Sequence, residues 1–356
     1  MLEKSMTRLG FLSFGNWMPG HGSAVRTGAD ALLQGVELAV AAEEAGVDGA
    51  FYRVHHFAKN HSSPWPLLAA AAARTSRIEL GTGVIDMRYE NPLAMAENAA
   101  ATDLISGGRL QLGISRGSPE TSVAGYEHFG HVPGTGLGAV EGESDADMAR
   151  RHTARFRSAI AGELIAPGNP QMVGSDRPLP VTPQAPGLSE RIWWGAGTRA
   201  TAVWTAEQGM NLMSSTLLTE DTGVPFDELQ AEQIALFHEA WRAAGWAHAP
   251  RVSVSRSILP IIDDETAHWF GLHAQAEQRD QVGILDGSRS RFGRSYIGTP
   301  EQIAAELAKD AAVQAADTLL VTVPNQLGVD INARMLGALA RDVMPVVDAA
   351  RAPSLA

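Results

Sequence analysis

The feature that most constrains the fold is a regular alternation of short, β-like apolar runs with longer helical stretches. Helical patterns follow the runs, and the first of them, at residues 31–45, has Gly46 at its expected C-cap. Eight β–α units in series predict a parallel sheet, and eight strands close a (β/α)8 TIM barrel; an open, doubly wound sheet is the alternative. The predicted strands are residues 9–14, 50–54, 77–85, 109–115, 191–194, 211–214, 252–262 and 318–323.

Two stretches interrupt this repeat. We expect one α/β domain over residues 1–356, with loop insertions at the C-terminal face at about residues 118–147 and 276–296. Long polar insertions on that face are often lids, so residues 276–296 are a possible lid, and an unstructured surface loop is the alternative for each. After the second insertion, Thr299-Pro300-Glu301-Gln302 predicts the start of a helix with a capping box.

Charge and composition exclude several classes of protein. The net charge of −12 disfavours binding to nucleic acid and to anionic membranes. The chain has no cysteine, which excludes disulfides, thiolate metal sites and cysteine nucleophiles. Residues 1–8 are polar, and no apolar stretch reaches the roughly 18 residues that a membrane span needs. A cytoplasmic protein without nucleic-acid or membrane partners is therefore expected.

A serine motif lies directly after the fourth predicted strand. Gly113–Gly117 fits G-x-S-x-G, in which Ser115 would be the nucleophile of a hydrolase. No His-Gly-Gly oxyanion segment precedes it, and Arg116 suits an anion better than an acyl group. Hydrolysis through Ser115 therefore stays a remote alternative, and a cofactor-binding role for Ser115 and Arg116 is favoured.

A glycine-rich turn follows the fifth predicted strand. Residues 195–200 fit G-x-G-x-x-A, with glycines at Gly195 and Gly197, and they open a helix. Backbone N–H groups at a helix N-terminus, together with the hydroxyls of Thr198 and Thr201, are typical of a phosphate site. The alternative is a turn that needs glycine only for packing.

Two further motifs end the second and third predicted strands. His55-His56 offers a proton-transfer group near neutral pH, or a structural hydrogen bond. No H-x-x-x-H or H-E-x-x-H spacing occurs, so no metal site is predicted. Thr82 and Gly83 form a glycine-containing strand end, which indicates either a close-lying ligand or a bend for barrel closure. Because all strand ends of a barrel meet at one mouth, one site is expected there. Its residues are His55, Thr82, Ser115, Arg116, Gly197, Thr198 and Ser214.

Several stretches together resemble the bacterial-luciferase-like, flavin-dependent monooxygenases. They are residues 41–57, 77–82 and 297–301, and above all the run from Asn91-Pro92 to Gly117. The resemblance covers nearly all of residues 8–324. It implies a TIM barrel that binds reduced FMN, reacts with O2 and oxidises a small organic substrate such as an aldehyde, ketone or alkane. A separate flavin reductase and a homodimer are implied as partners.

The resemblance also assigns roles to residues. His55 matches the family histidine beside the flavin ring, and His56 would support it as the second catalytic residue. Thr82 and Gly83 would lie against the ring, with a cis peptide at Gly83-Val84. Arg116, Gly197, Thr198 and Thr201 would hold the phosphate, and Ser115 and Gly195 complete the cofactor-binding residues.

Two departures limit what the resemblance implies. Luciferases proper have a cysteine where Ser115 stands and an acidic residue where Gly197 stands, so light emission is not implied. A sister branch on the same barrel uses a deazaflavin for hydride transfer, and the paired histidines favour the flavin branch. A non-catalytic flavin-binding protein is a remote alternative.

Overall fold

A closed barrel of eight parallel strands forms the centre of the molecule. The computed structural model describes residues 7–20, 22–117, 121–271, 279–285 and 288–351. Each strand pairs in parallel with the next, and the eighth pairs with the first, which closes the ring. The strands are β1 (Arg8–Ser13), β2 (Gly49–Tyr52), β3 (Glu79–Thr82), β4 (Leu110–Ser115), β5 (Ile192–Ala196), β6 (Asn211–Ser214), β7 (Val252–Pro260) and β8 (Thr318–Val323). The predicted (β/α)8 TIM barrel is confirmed.

The barrel interior is filled by a few large side chains set against glycines. The inward cluster comes from five strands and consists of Leu12, Phe51, Trp193, Met213 and Leu320. A Cβ at Gly81 would lie 2.3 Å from the Phe51 ring, and one at Gly10 would lie 2.7 Å from Leu320. Glycine is therefore required at these interior positions because a large side chain from a neighbouring strand occupies the space.

Helices surround the barrel and cover the outer faces of its strands. Their apolar faces join the strands in one large core, in agreement with the alternating sequence pattern. The main helices are α1 (Gly28–Glu44), α2 (Pro64–Arg74), α3 (Pro92–Ser106), α4 (Asp145–Ile160), α5 (Arg199–Glu207), α6 (Phe226–Ala244), α7 (Asp264–Phe270), α8 (Pro300–Leu307) and α9 (Val329–Ala338). Shorter helical segments are Pro170–Val173, Ala311–Ala315 and Met344–Ala350. Within the described ranges, none of the helices combines the length and apolar character that a membrane span requires.

Local signals place the helix starts. The capping box predicted at Thr299 is present, with Pro300 in the first turn and Gln302 returning the hydrogen bond. Asn91 caps α3 in front of Pro92, and α3 ends at Gly107 in the left-handed conformation. The helix predicted to start at Thr299-Pro300 therefore begins where the sequence places it.

Ion pairs close the N-terminal end of the barrel. Glu79, at the start of β3, accepts hydrogen bonds from Arg8 at 2.6 Å and from Arg251 at 2.9 Å. The Arg251 guanidinium also lies 4.9 Å above the ring of Trp193. These side chains occupy this end of the barrel, and the cavity described below opens at the opposite end, where the strands finish.

Both insertions carry some regular structure. The described part of the first contains a short 3-10 helix at Gly125–Phe129, and its residues 118–120 lie outside the described residues. In the second, strands Gln281–Leu285 and Ser288–Phe292 form an antiparallel hairpin that also pairs with Leu217–Leu218. Of the predicted lid, residues 276–278 and 286–287 lie outside the described residues.

Two small elements complete the fold. Ser295–Gly298 runs parallel to the end of β7 on the outside of the barrel. Ala166–Pro167 and Pro178–Leu179 form a two-stranded antiparallel sheet between α4 and β5.

Candidate active site

A cavity of about 440 Å³ opens at the C-terminal ends of the barrel strands. Its volume lies within the range usual for cofactor and small-molecule sites. Its walls come from the ends of β1 to β6, from β7 and from α4. The lining residues that carry the argument below are Arg53, His55, Gly83, Val84, Asp86, Ser115, Arg116, Arg150, Trp194, Gly195, Gly197, Thr198, Thr201, Met213, Ser215, Leu217 and Thr219.

The two adjacent histidines after β2 occupy different environments. His55 is half-buried and lines the cavity. His56 is buried and stacks on Tyr89, with ring centroids 4.2 Å apart, while Phe129 meets it edge-on at 5.1 Å. His55 is therefore the one placed to meet a bound molecule, and His56 connects the β2 end to the first insertion.

The end of β3 contributes backbone rather than a hydroxyl. The Thr82 hydroxyl is fully buried and donates to the Gly113 carbonyl at 2.7 Å, so Thr82 is not part of the cavity wall. Gly83 and Val84 do line the cavity, and the peptide bond between them is cis. A Cβ at Gly83 would lie 2.9 Å from Leu12, so only glycine fits this part of the wall without displacing Leu12.

At the end of β4, Ser115 and Arg116 both line the cavity. The Ser115 hydroxyl accepts a hydrogen bond from the Gly117 N–H at 2.8 Å, and no histidine of the described residues bonds to it. That geometry lacks the serine–histidine pair that a hydrolase needs. Arg116 is exposed and makes no ion pair within the described part of the chain, so its guanidinium is available to an anion.

The turn between β5 and α5 lines the cavity with hydroxyls. Thr198 caps α5, accepting from the Thr201 N–H at 3.1 Å, and the two threonine hydroxyls lie 2.8 Å apart. Glu220 accepts from the Arg199 N–H at 3.2 Å. Because these two helix N–H groups are already bonded, the groups offered to an anion are mainly the threonine hydroxyls and nearby guanidinium groups.

The two glycines of this turn are fixed by close neighbours. A Cβ at Gly195 would lie 3.3 Å from Val84, and one at Gly197 would lie 3.1 Å from the Thr219 hydroxyl. Thr219 holds the Gly197 carbonyl with its N–H at 2.9 Å and its hydroxyl at 3.2 Å. Neither glycine therefore has room for a larger side chain, and both line the cavity.

Sequence reasoning missed several lining residues. Arg53 stands two residues before His55 with its guanidinium 4.6 Å above the Phe14 ring, and Arg150 projects from α4. The position of Arg53 at the end of β2 was a usable signal. Nothing in the sequence indicates that α4 reaches the mouth, because a long insertion separates it from β4. Trp194 and Met213 lie within predicted strands, and the sequence pattern indicates only that such apolar residues belong to the core.

The carboxylate on the cavity wall is neutralised by its neighbours. Asp86 is nearly fully buried and forms an ion pair with Arg88 at 2.6 Å, and Arg88 also bonds to Asp145 at 2.8 Å. Burial, followed by the negative charge of Asp86, raises the pKa of Glu90 to about 7. Three arginines also line the cavity, namely Arg53, Arg116 and Arg150. Among the described residues, no group of three or more histidines or acidic residues is arranged to hold a metal ion.

These features define a (β/α)8-barrel protein with a cofactor-sized cavity, lined in part by arginines, at the C-terminal end of its barrel strands. A sequence model of the luciferase-like monooxygenases matches residues 6–318. The chain belongs to the luciferase-like monooxygenase family.

Curated relatives resemble short parts of the chain. The oxygenase component of the flavin-dependent trigonelline monooxygenase of Acinetobacter baylyi is 35% identical over 101 residues, 28% of this chain and 27% of the relative. The F420-dependent glucose-6-phosphate dehydrogenase of Amycolatopsis mediterranei is 37% identical over 100 residues, 26% of this chain and 30% of the relative. The aligned segments thus cover less than a third of either relative.

Solved structures match over nearly the whole chain and show the shared fold. The monooxygenase RslO1 from Streptomyces bottropensis has a TM-score of 0.71 and 21% identity, over 95% of this chain and 99% of that one. The oxygenating constituent of 3,6-diketocamphane monooxygenase from Pseudomonas putida, solved with FMN, has a TM-score of 0.67 and 17% identity, over 96% and 98% of the two chains.

Proposed function

We propose that this protein is a flavin-dependent monooxygenase that uses reduced FMN and O2 to oxidise a small organic substrate. The observation that carries the proposal is that the cavity wall combines polar and apolar side chains. Hydroxyl and guanidinium groups from the ends of β4 and β5, here called the polar pole, line it together with the apolar side chains of Val84, Trp194, Met213 and Leu217, here called the apolar pole. A phosphorylated cofactor with a flat, apolar ring system needs both.

The polar pole fits the FMN phosphate. Thr198 and Thr201 offer hydroxyls, and Arg116 offers a cation without an ion pair in the described ranges. Arg150 lines the same side from α4, with its guanidinium 5.1 Å above the Trp204 ring. Charge-assisted hydrogen bonds to phosphate are each worth about 1.5–3 kcal/mol, so this pole would supply much of the binding energy.

The apolar pole fits the flavin ring and the organic substrate. Val84, Trp194, Met213 and Leu217 line it together with the backbone at Gly83. By excluding water, such a wall would protect a reactive intermediate from side reactions. His55, on the β2 side of the mouth, is the lining residue we assign to proton transfer. We assign supporting roles to His56 and Thr82, because their contacts hold the ends of β2 and β3 in place beside the cavity.

Bound reduced FMN would supply two electrons for the activation of O2. With these two electrons, one atom of O2 would enter the substrate and the other would leave as water. The chain contributes binding, orientation and proton transfer. Reduced flavin would come from a separate reductase, as the description of the trigonelline enzyme as an oxygenase component suggests for that relative. A homodimer in the cytoplasm stays a prediction.

A lid over the cavity is part of the proposal. The hairpin of Gln281–Leu285 and Ser288–Phe292 pairs with Leu217–Leu218, of which Leu217 lines the cavity. Arg291 fastens the hairpin to Asp221 at 2.7 Å. The hairpin is therefore attached at the edge of the cavity, where closure over a bound cofactor would exclude water.

A second candidate is a hydride-transfer enzyme that uses a deazaflavin on the same barrel. Its support is the F420-dependent dehydrogenase that matches 100 residues of this chain. The two candidates differ in their electron chemistry, since a deazaflavin passes hydride to the substrate and does not activate oxygen.

The test is a titration of the purified protein with reduced FMN and with reduced deazaflavin under anaerobic conditions, followed by admission of air. We expect reduced FMN to bind and to be reoxidised more slowly than free flavin, with an oxygen-bearing flavin spectrum. Binding of deazaflavin alone would refute the monooxygenase proposal and support the second candidate.

A variant tests the role of His55. The His55→Ala protein should retain the circular dichroism spectrum and the FMN affinity of the wild type, and it should accumulate unreacted flavin–oxygen species because proton transfer is impaired. Phe57→Ala is the matched control, since Phe57 lies two residues further along and is half exposed. Identical reoxidation kinetics in the wild type and His55→Ala would remove His55 from the mechanism.

A further inference from the structure

We propose that Gln233 is a positioning residue for the cofactor phosphate, acting through a buried hydrogen-bond network that fixes the turn between β5 and α5. This inference rests on the proposed function, since it assigns the phosphate to that turn. Gln233 lies on α6 and does not line the cavity. Contact with a cofactor in the cavity therefore does not account for its buried polar side chain.

Gln233 holds the turn by its backbone carbonyls. Its side chain is fully buried, and Nε2 donates to the Thr198 carbonyl at 3.1 Å and to the Ala196 carbonyl at 3.4 Å. These two carbonyls flank Gly197, and the glutamine that binds them does not line the cavity. The amide therefore fixes the backbone that places the Thr198 hydroxyl towards the phosphate.

A second buried glutamine, one helical turn earlier, extends the network. Gln233 Oε1 accepts from the Ser214 hydroxyl at 2.7 Å, and the Ser214 oxygen accepts from Gln230 Nε2 at 2.8 Å. Gln230 Nε2 also donates to the Ser215 carbonyl at 2.7 Å, and Ser215 lines the cavity at the end of β6. The two glutamines share one face of α6 because they are three residues apart.

The network ends in a buried ion pair. Gln230 Oε1 accepts from Arg256 Nη1 at 2.7 Å, and Arg256 makes two bonds to Asp310, at 2.7 and 2.9 Å. Tyr296 donates to Asp310 at 2.5 Å. Both charged side chains are nearly fully buried, so the pair is a rigid anchor on β7 and on the segment before Ala311–Ala315.

The polarity of the network leaves one arrangement of donors and acceptors. An arginine only donates, so Gln230 must present its oxygen to Arg256 and its NH2 group to Ser214. Ser214 must then donate to Gln233, whose NH2 group is left for the two carbonyls of the turn. Every link depends on the previous one, which makes the network cooperative and the position of the turn unique.

The test compares FMN with riboflavin, which has the same ring system and lacks the phosphate. The oxidised forms of both are titrated into the wild type, Gln233→Leu and Gln184→Leu, and the dissociation constants are measured by flavin fluorescence. Gln184 is the matched control: its Nε2 also bridges two backbone carbonyls, of Ala159 and Val181, at 3.0 and 2.6 Å, and it does not line the cavity.

We expect Gln233→Leu to lose at least fivefold in the ratio of FMN affinity to riboflavin affinity, with riboflavin binding changed less than twofold. Gln184→Leu should lower the melting temperature and leave the ratio unchanged, because a loss of stability alone acts on both ligands equally. Ser214→Ala interrupts the same network by the loss of one oxygen atom and should lower the ratio about threefold. It serves as the test if Gln233→Leu does not fold.

The outcomes separate the two levels of the argument. A wild type that binds FMN no better than riboflavin overturns the phosphate site itself and this inference with it. A wild type that prefers FMN, together with an unchanged ratio in Gln233→Leu and Ser214→Ala, overturns the positioning role alone. A lowered ratio in both variants, with Gln184→Leu unchanged, supports it.

Discussion

Replacing Gly117 with alanine should destabilise the protein through two separable effects. Gly117 follows Arg116 at the cavity mouth and has a φ of +91°, a conformation that costs an alanine about 1–2 kcal/mol. A Cβ there would also lie 2.0 Å from Asp86 Oδ2 and 2.6 Å from Arg88 Nη2. The methyl group would occupy the place of the Asp86–Arg88 ion pair.

The second effect is the larger one. Overpacking costs about 1–3 kcal/mol, and both partners of this ion pair are largely buried, so neither can move into solvent freely. The combined loss in the free energy of unfolding is therefore about 3 kcal/mol for Gly117→Ala. Gly46→Ala is the control, because Gly46 has a nearly equal φ of +87° and an added Cβ would have no neighbour within 4 Å. It should lose only about 1 kcal/mol.

The assay is urea unfolding of the flavin-free proteins at pH 7, followed by tryptophan fluorescence, with melting temperatures as a second measure. Gly117→Ala should also bind FMN more weakly, because the Gly117 N–H holds the Ser115 hydroxyl and the same turn carries Arg116. Equal losses in Gly117→Ala and Gly46→Ala would show that backbone conformation explains both, and the argument from the ion pair would be wrong.

Three further predictions concern charge. Arg116→Gln should weaken FMN binding about tenfold and leave riboflavin binding unchanged, in fluorescence titrations, because one charge-assisted bond to the phosphate is lost. Burial raises the pKa of Glu90 to about 7. Between about pH 4.5 and 7 the native state keeps a proton that the unfolded state has released, so the free energy of unfolding falls as the pH rises through this range. Glu90→Gln should therefore be more stable than the wild type by about 2 kcal/mol at pH 8, measured by urea unfolding. Burial opposes the ionisation of Asp310, but the charge of Arg256 outweighs it and lowers the pKa. The ionised Asp310 thus contributes fully to the free energy of unfolding above about pH 4, and this contribution is lost as the pH falls through its lowered pKa in the native state. Asp310→Asn should lose about 3 kcal/mol at pH 7 in urea unfolding, and its stability should fall less steeply with acid than that of the wild type.

The sequence was sufficient for the barrel because its signals are local and repeated. Strand β6 has the predicted bounds, and β3 ends earlier than predicted, at Thr82, with a separate short strand at Ile85–Asp86. The hairpin at Gln281–Phe292 was missed. Its pairing partner, Leu217–Leu218, is distant in the sequence, and polar strands with arginines and glycines have no clear alternation.

The sequence predicts the site residues that directly follow a strand, and it does not predict those whose position depends on how the side chains pack. His55, Gly83, Ser115, Arg116 and the β5 turn all reach the cavity wall, as their positions after strands predicted. Thr82 and Ser214 also end strands, yet their side chains serve buried hydrogen bonds, and alternation along a strand of uncertain register could not reveal this. The contribution of Arg150 depends on the path of the first insertion.

Leu217 lines the cavity and, together with Leu218, forms the edge strand of the sheet that contains the hairpin. A segment shared in this way cannot follow the hairpin without changing the shape of the cavity. If the hairpin acts as the proposed lid, its opening and the release of a bound molecule would be one kinetic event, and the rate of product release would measure hairpin motion.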